Sequence, residues 1–222
     1  MRLTPQRYYL APAGRKVLSI LLAVTLLGML GACSEPVKPG VGDHWHVAYG
    51  FYVCDRYVGN LMGDLTGFKA DGKPESKNYG IVGVHSHNDG LIHFHPYSGL
   101  AAGPKANLGL FLSMYGIGIS DTQVDLPEYL GGTLMEYLSV CQTAQGQTDG
   151  ELRVQYWPDA TDAQKYTVYT ENLKDITLIE DGAAVALVFA PAGVSAPLPP
   201  SVGAPITDVP GGVLQGPPTT QP

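Results

Sequence analysis

Val84-His85-Ser86-His87-Asn88-Asp89-Gly90-Leu91-Ile92-His93-Phe94-His95-Pro96 is the stretch on which the fold turns. Two short extended runs flank a polar, glycine-ending turn, which predicts a β-hairpin. Two registers compete. A three-residue loop, Asn88-Asp89-Gly90, with glycine in the left-handed region, sets His85 opposite His93 and His87 opposite Leu91. His85, His87, His93 and His95 then share one face. A two-residue Asp89-Gly90 turn pairs His87 with Ile92 and sends the two histidine pairs to opposite faces. The apolar residues favour the first register, because only there do Val84, Ile92 and Phe94 form a clean core side.

Upstream, His44 and His46 repeat the His-X-His spacing, so all 6 histidines of the chain fall into three such pairs. Residues two apart on a strand point the same way, and each pair therefore presents two imidazoles side by side. The run Trp45, Val47, Tyr49, Phe51 and Val53 alternates with His44, His46, Ala48, Gly50 and Tyr52. This predicts a strand with an apolar face turned inward and His44 and His46 on the other side. Directly opposed strand residues have Cβ atoms about 4.5 to 5.5 Å apart, from which imidazoles can share an ion at bonds of about 2.0 to 2.1 Å. His44, His46, His85, His87, His93 and His95 are thus the candidate metal ligands. Imidazole ligation without thiolate favours Zn(II) or Cu(II), and the residues do not separate the two. Asp43, Asp55 and Asp89 are candidates for orienting the rings from outside, Asp89 being also a turn residue. The competing reading is a hydrogen-bonded histidine network without metal.

Around this centre the chain reads as α+β and mainly β, with the histidine-bearing hairpin and one amphipathic helix. Leu108, Phe111, Leu112 and Tyr115 at helical spacing, followed by Gly116, predict the helix over 105–115. Glu151 to Trp157, Tyr166 to Thr170, Ile176 to Ile179 and Ala183 to Ala190 are further strand candidates, and 59–79 reads as a surface loop. Nine of the 18 prolines lie between Pro191 and Pro222, so this end reads as a tail that is partly disordered, its first part to Pro200 able to lie on the domain.

The amino terminus reads as an address. Arg15 and Lys16 precede Val17 to Ala32, a run of uncharged, mostly apolar residues too short for the roughly 20 needed to span a bilayer. It ends in Leu30-Gly31-Ala32-Cys33, which resembles the bacterial lipobox, with Cys33 the residue that takes the lipid. Residues 1–32 are then a signal peptide, 33–42 a tether, 43–190 the globular metal-binding domain and 191–222 the tail. An uncleaved single-pass anchor and plain secretion are the alternatives, and all three place the domain outside the cytoplasm. With Cys33 so assigned, Cys54 and Cys141 remain, to form a disulfide in an oxidising compartment or to stay as buried thiols.

The chain carries a formal charge of −7 over its 222 residues. Setting aside the first 32, with four basic and no acidic side chains, leaves 9 basic against 20 acidic. Such a surface repels phosphate backbones, which argues against nucleic acid and favours cations as partners.

Asp43-His44-Trp45-His46 together with the segment from Val84 to Pro96 resembles a family of uncharacterised, membrane-anchored bacterial proteins with this histidine-rich signature. The similarity continues through Leu108-Gly109-Leu110-Phe111-Leu112 and Asp181-Gly182, over most of residues 43–201. It implies an extracytoplasmic domain and supplies no activity. The order of hairpin, helix and late strands resembles a β-grasp-like arrangement. His44-Trp45-His46 and His85-Ser86-His87 are similar to paired copper ligands of multicopper oxidases, but the chain is short for that fold and lacks a His-Cys-His segment. His85-Ser86-His87-Asn88-Asp89 is similar to the His-X-His-X-Asp motif of metallo-β-lactamase-like hydrolases, yet Gly90 stands where the next histidine is required. The expectation is a lipid-anchored module that captures or buffers a transition metal. A metal-dependent extracytoplasmic enzyme and a non-metal envelope scaffold are the alternatives.

Overall fold

A computed structural model describes residues 39–63, 65, 76–144, 146–206 and 213–216. The signal-like run, the lipobox with Cys33 and most of the tether lie outside the described residues. Among the described residues no helix is long and apolar enough to cross a membrane.

The central strand is β1 (Trp45–Val53), followed by the short β2 (Arg56–Tyr57). A one-turn helix, α1 (Tyr79–Val82), leads into the hairpin β3 (Val84–His85) and β4 (Leu91–Phe94). Then come α2 (Leu108–Met114), β5 (Gln123–Asp125), β6 (Thr133–Met135), β7 (Val140–Thr143) and β8 (Gly146–Asp149). The chain returns to the main sheet with β9 (Glu151–Trp157), β10 (Thr167–Tyr169) and β11 (Ala183–Ala190). The main sheet is mixed, in the order β10-β9-β11-β1-β4-β3, with β2 also pairing β1. β1 and β11 run parallel, and the other pairs run antiparallel. The expected α+β, mainly β class holds.

Alternation along the strands sorts two faces. Trp45, Val47, Tyr49 and Phe51 join Ile92, Phe94, Val185, Leu187 and Val154 in the main core, against which α2 lays Leu108, Phe111 and Leu112. α2 is shorter than its periodicity implied. Asn107 caps it, the side chain accepting from the Leu110 N–H at 2.8 Å, and Gly116, at φ 71°, ends it. The expected strand at Ile176–Ile179 does not form in the sheet. Its backbone groups are taken by the segment before α2, Leu178 N–H by the Ala106 carbonyl at 2.7 Å and Leu108 N–H by the Ile176 carbonyl at 2.9 Å. Ile176 and Leu178 are buried all the same, so their apolar alternation served packing without a sheet partner. The polar β7–β8 hairpin carried no such alternation and escaped the sequence reading. Cys54, just after β1, is bonded to Cys141 on β7, closing a separation of 87 residues.

The second face is also covered, in part by the stretch up to Pro200 that was expected able to lie on the domain. Ala48, Tyr52, Ala184, Ala186 and Val188 pack there with Ala196 and Leu214 from the proline-rich segment. Two polar side chains of β9 point to this face and hold the segment. The Arg153 guanidinium donates to the carbonyls of Ala190, Pro191 and Val194. Gln155 exchanges two hydrogen bonds with the Ala196 backbone, at 3.0 and 3.1 Å. The segment passes through turns in which Val194 N–H donates to Pro191, Val202 to Pro199 and Ala204 to Ser201, and Leu214, farther along, is buried and bonded to Gly203 and Ala204. At one end of this face β1 begins and β4 and β3 form the edge. The histidines are there.

Candidate metal centre

Register places the rings. His85 lies opposite His93 in the β3–β4 pair, and His46 lies opposite His93 in the β1–β4 pair. The three-residue loop is therefore the one adopted, with Gly90 at φ 76° and Asn88 also left-handed at φ 62°. Gly90 is required for a second reason: a Cβ there would lie 2.7 Å from the Cβ of Ser201, whose hydroxyl donates to the Gly90 carbonyl at 2.7 Å. At the other end of β3, Gly83 caps α1 at φ 71°, and its carbonyl accepts the His95 N–H at 3.0 Å. A Cβ on Gly83 would sit 1.9 Å from the His95 carbonyl oxygen. Glycine is what lets the backbone carrying His85 lie against the backbone carrying His95.

The six imidazoles form one continuous cluster. Going round it by ring centroids, His44 to His46 is 4.5 Å, His46 to His93 4.9 Å, His93 to His85 5.1 Å, His85 to His95 5.3 Å, and His95 back to His44 3.9 Å. His87 lies 4.7 Å from both His85 and His93. Within this ring His85, His93 and His95 offer donor atoms that all lie within 4.8 Å of one another, a group that could hold a metal ion. His85 and His93 are buried, at 2% and 0% exposure, and His95 is half-buried. Two further nitrogen pairs are closer still: the Nε2 atoms of His44 and His46 are 3.0 Å apart, and those of His85 and His87 are 3.1 Å apart.

Electrostatics keep His85 ready as a ligand. Burial, and then the neighbouring imidazoles of His93, His87 and His95, lower its pKa from the ordinary 6.5 to about 3, against a weak opposing pull from the Gly83 peptide. The ring is neutral at physiological pH, with a lone pair available. Its Nδ1 is buried and makes no hydrogen bond of good geometry among the described residues. A buried polar atom in that state costs free energy unless something binds it.

The surrounding residues fix the rings. Asp89 is both turn residue and ring partner: its Oδ1 accepts the Leu91 N–H at 3.0 Å, and its Oδ2 lies 2.9 Å from His93 Nε2. Burial raises the Asp89 pKa, but the bonds from His93 and Leu91 outweigh it and bring the carboxyl down to about 2. The ionised carboxylate selects the Nε2–H form of His93, which directs the other nitrogen's lone pair toward a ligand role. Asp43 instead accepts the Gly40 N–H at 2.7 Å, and Asp55 makes an exposed contact with Arg56 at 3.4 Å. Neither of these bonds orients a ring.

Ser86 is fully buried between the paired histidines, its N–H donating to the Tyr115 hydroxyl at 2.8 Å and its Oγ reaching Tyr49 and Asp89 at 3.3 Å. It serves as a strut, tied from the core side. Sequence reasoning missed three supports. Tyr115, read as a core position, bonds both backbone groups of Ser86. Tyr79, read as loop, packs edge-on against His85 at 4.9 Å. Asp181, read only as a turn residue, accepts the His46 N–H at 2.9 Å while Gly182 N–H donates back to the His46 carbonyl at 2.9 Å. The Asp-Gly pair in the Glu180-Asp181-Gly182 turn carried no sign of a partner 135 residues away.

The arrangement is a closely spaced, nitrogen-rich donor set on two strand pairs, with the His85 ring neutral. No protein-family model, no curated protein and no solved structure matches the chain.

Proposed function

We propose that the protein is an extracytoplasmic, lipid-anchored module that captures and buffers Zn(II) or Cu(II), with His85, His93 and His95 holding the ion. The observation that carries this reading is the convergence of those three donors within 4.8 Å in a buried setting. The neutral His85 ring and its buried, unsatisfied Nδ1 support it, because an ion would satisfy that atom and no proton need be expelled from His85 to bind it. The Cys54–Cys141 disulfide supports a location outside the reducing cytoplasm. The short apolar run and Cys33 support a lipid anchor rather than a spanning helix, and the similarity to membrane-anchored histidine-signature proteins agrees.

Elemental analysis of the purified protein after exposure to Zn(II) or Cu(II) and gel filtration tests the metal. Retention by the parent chain and loss in the double variant His85→Ala, His93→Ala is the expected result. A folded parent chain that ignores both ions refutes the reading. For the anchor, Cys33→Ser should move the protein from the membrane to the soluble extracytoplasmic fraction.

A metal-dependent enzyme is the second reading, and one observation favours it. Three protein nitrogens is the ligand count of catalytic zinc sites, which keep a fourth position for water or substrate, whereas structural sites close with four. An exchangeable water on the bound ion, detected by relaxation of solvent protons with Cu(II), would favour this reading over storage.

A further inference from the structure

We propose that His44 and His46 form a second cation position, entered from the exposed His44, separate from the His85–His93–His95 triad and serving to load it. The proposal rests on the metal-binding reading above and extends it to two ions of different accessibility.

Donor spacing separates the two positions. Ligands bound at about 2.0 to 2.1 Å can be no more than about 4.2 Å apart on one ion. Among the described residues, His85, His93 and His95 are the one group of three or more histidine, cysteine or acidic residues whose donors all lie within the wider limit of 4.8 Å. Neither His44 nor His46 can therefore share an ion with two members of the triad in this arrangement. Yet the Nε2 atoms of His44 and His46 are themselves 3.0 Å apart. One proton between two neutral imidazoles accounts for that contact. So does one divalent cation, since bonds of about 2.05 Å to both nitrogens at this spacing subtend about 95°, close to the angle between adjacent ligands of a square or octahedral ion. The other close pair, His85 and His87, cannot form an independent position because it uses His85 of the triad.

Access separates them too. His85 and His93 are closed off, whereas His44 is exposed and offers the way in to His46, itself buried at 5% exposure. His46 lines a cavity of about 270 Å³ whose wall also carries Asp159, Asp181 and Gln215. Two carboxylates on that wall raise the local concentration of cations. With only two protein nitrogens, an ion there keeps positions open to water or to a delivering ligand, which makes it labile. The onward path is short: the His44 ring centroid lies 3.9 Å from that of His95, a triad member, and that of His46 4.9 Å from His93. An ion held at the His44–His46 pair can exchange one imidazole at a time into the triad without passing through bulk water.

The test is metal stoichiometry and exchange in the full chain, with Zn(II) and Cu(II) as probes, comparing the parent with His44→Ala and with His44→Gln. The parent should take up two equivalents, one stripped quickly by a weak chelator and one slowly, and Cu(II) should give two distinct electron paramagnetic resonance signals. Both variants should lose the fast equivalent and its signal, keep the slow one, and load it several-fold more slowly. Because His44 is exposed, circular dichroism and the thermal midpoint of the ion-stripped variants should match the parent. A parent that binds a single equivalent, or variants that keep both, overturns the second position. A parent that binds none overturns this proposal together with the metal-binding reading, and so the two failures are told apart.

Discussion

Acidification should destabilise this domain through His85 in a way that can be measured on its own. The ring titrates near 6.5 when unfolded and at about 3 when folded, chiefly because burial opposes its charge. The unfolded chain therefore binds one more proton than the folded chain over that interval, and stability rises with pH. The contribution is complete above the unfolded value and is lost as pH falls from 6.5 toward 3. Each pH unit inside the window costs about 1.4 kcal/mol, so between pH 7.5 and pH 5 this one ring removes about 2 kcal/mol. The assay is urea unfolding of chelator-treated protein at half-unit pH steps, for the parent and for His85→Phe, which keeps a ring against Tyr79 and removes the titration. The substitution also removes the charge coupling of His85 to His93, His87 and His95, so the difference reads the ring together with that coupling. The parent should lose about 2 kcal/mol more than the variant over that range. Equal losses would show that His85 is already protonated in the folded state or is solvated, and the argument for a neutral, ligand-ready imidazole would go with it.

Three further outcomes follow from the same packing. Gly83→Ala forces a Cβ to 1.9 Å from the His95 carbonyl oxygen at a left-handed φ; it should cost at least about 2 kcal/mol in urea unfolding and loosen the metal site with it. Asp89→Asn removes the ionised acceptor that orients His93, and competition against a chromophoric chelator should show affinity lowered roughly 10- to 100-fold. Replacing Cys54 and Cys141 together by serine opens a loop of 87 residues; by chain entropy the loss is about 4 to 5 kcal/mol at most, read as a lowered thermal midpoint.

The cluster also has a cost that explains its surroundings. Burial and the neighbouring imidazoles oppose charge on His85, and its buried Nδ1 makes no hydrogen bond of good geometry among the described residues. The molecule meets this partly with Asp89 on His93 and Asp181 at the His46 backbone. It meets it also by backing the site with rigid material. Tyr49 and Tyr115 grip Ser86 from the core side, and Ser201 closes the hairpin turn. Such bracing is what a preorganised metal site needs, since rings already held in place lose little freedom on binding.

Much of the site was legible because strand geometry is local. The period of two assigned His44 and His46 to one side of β1. The choice between loop registers in the hairpin followed from which side Val84, Ile92 and Phe94 could share, and the structure adopts that register with His85 opposite His93. For Cys54 and Cys141 the sequence left a disulfide and buried thiols both open, and the structure forms the disulfide. Other features could not be read because their causes are distant in sequence. Ile176 to Ile179 had strand-like alternation but found its hydrogen-bond partners at Ala106 and Leu108 instead of in the sheet. The proline-rich segment lacked apolar density, yet Arg153 and Gln155, pointing to the second face of β9, supply the polar hooks that dock it. The division of six equivalent-looking histidines into the His85–His93–His95 triad, the pair of exposed His44 and buried His46, and His87 was likewise a tertiary decision. Local chemistry set which side chains face together; only the placing of β1 beside β4, of α1 against His95, and of a late turn against His46 fixed which nitrogens come within reach of one ion, because donor distances of a few ångströms depend on how separate segments stack.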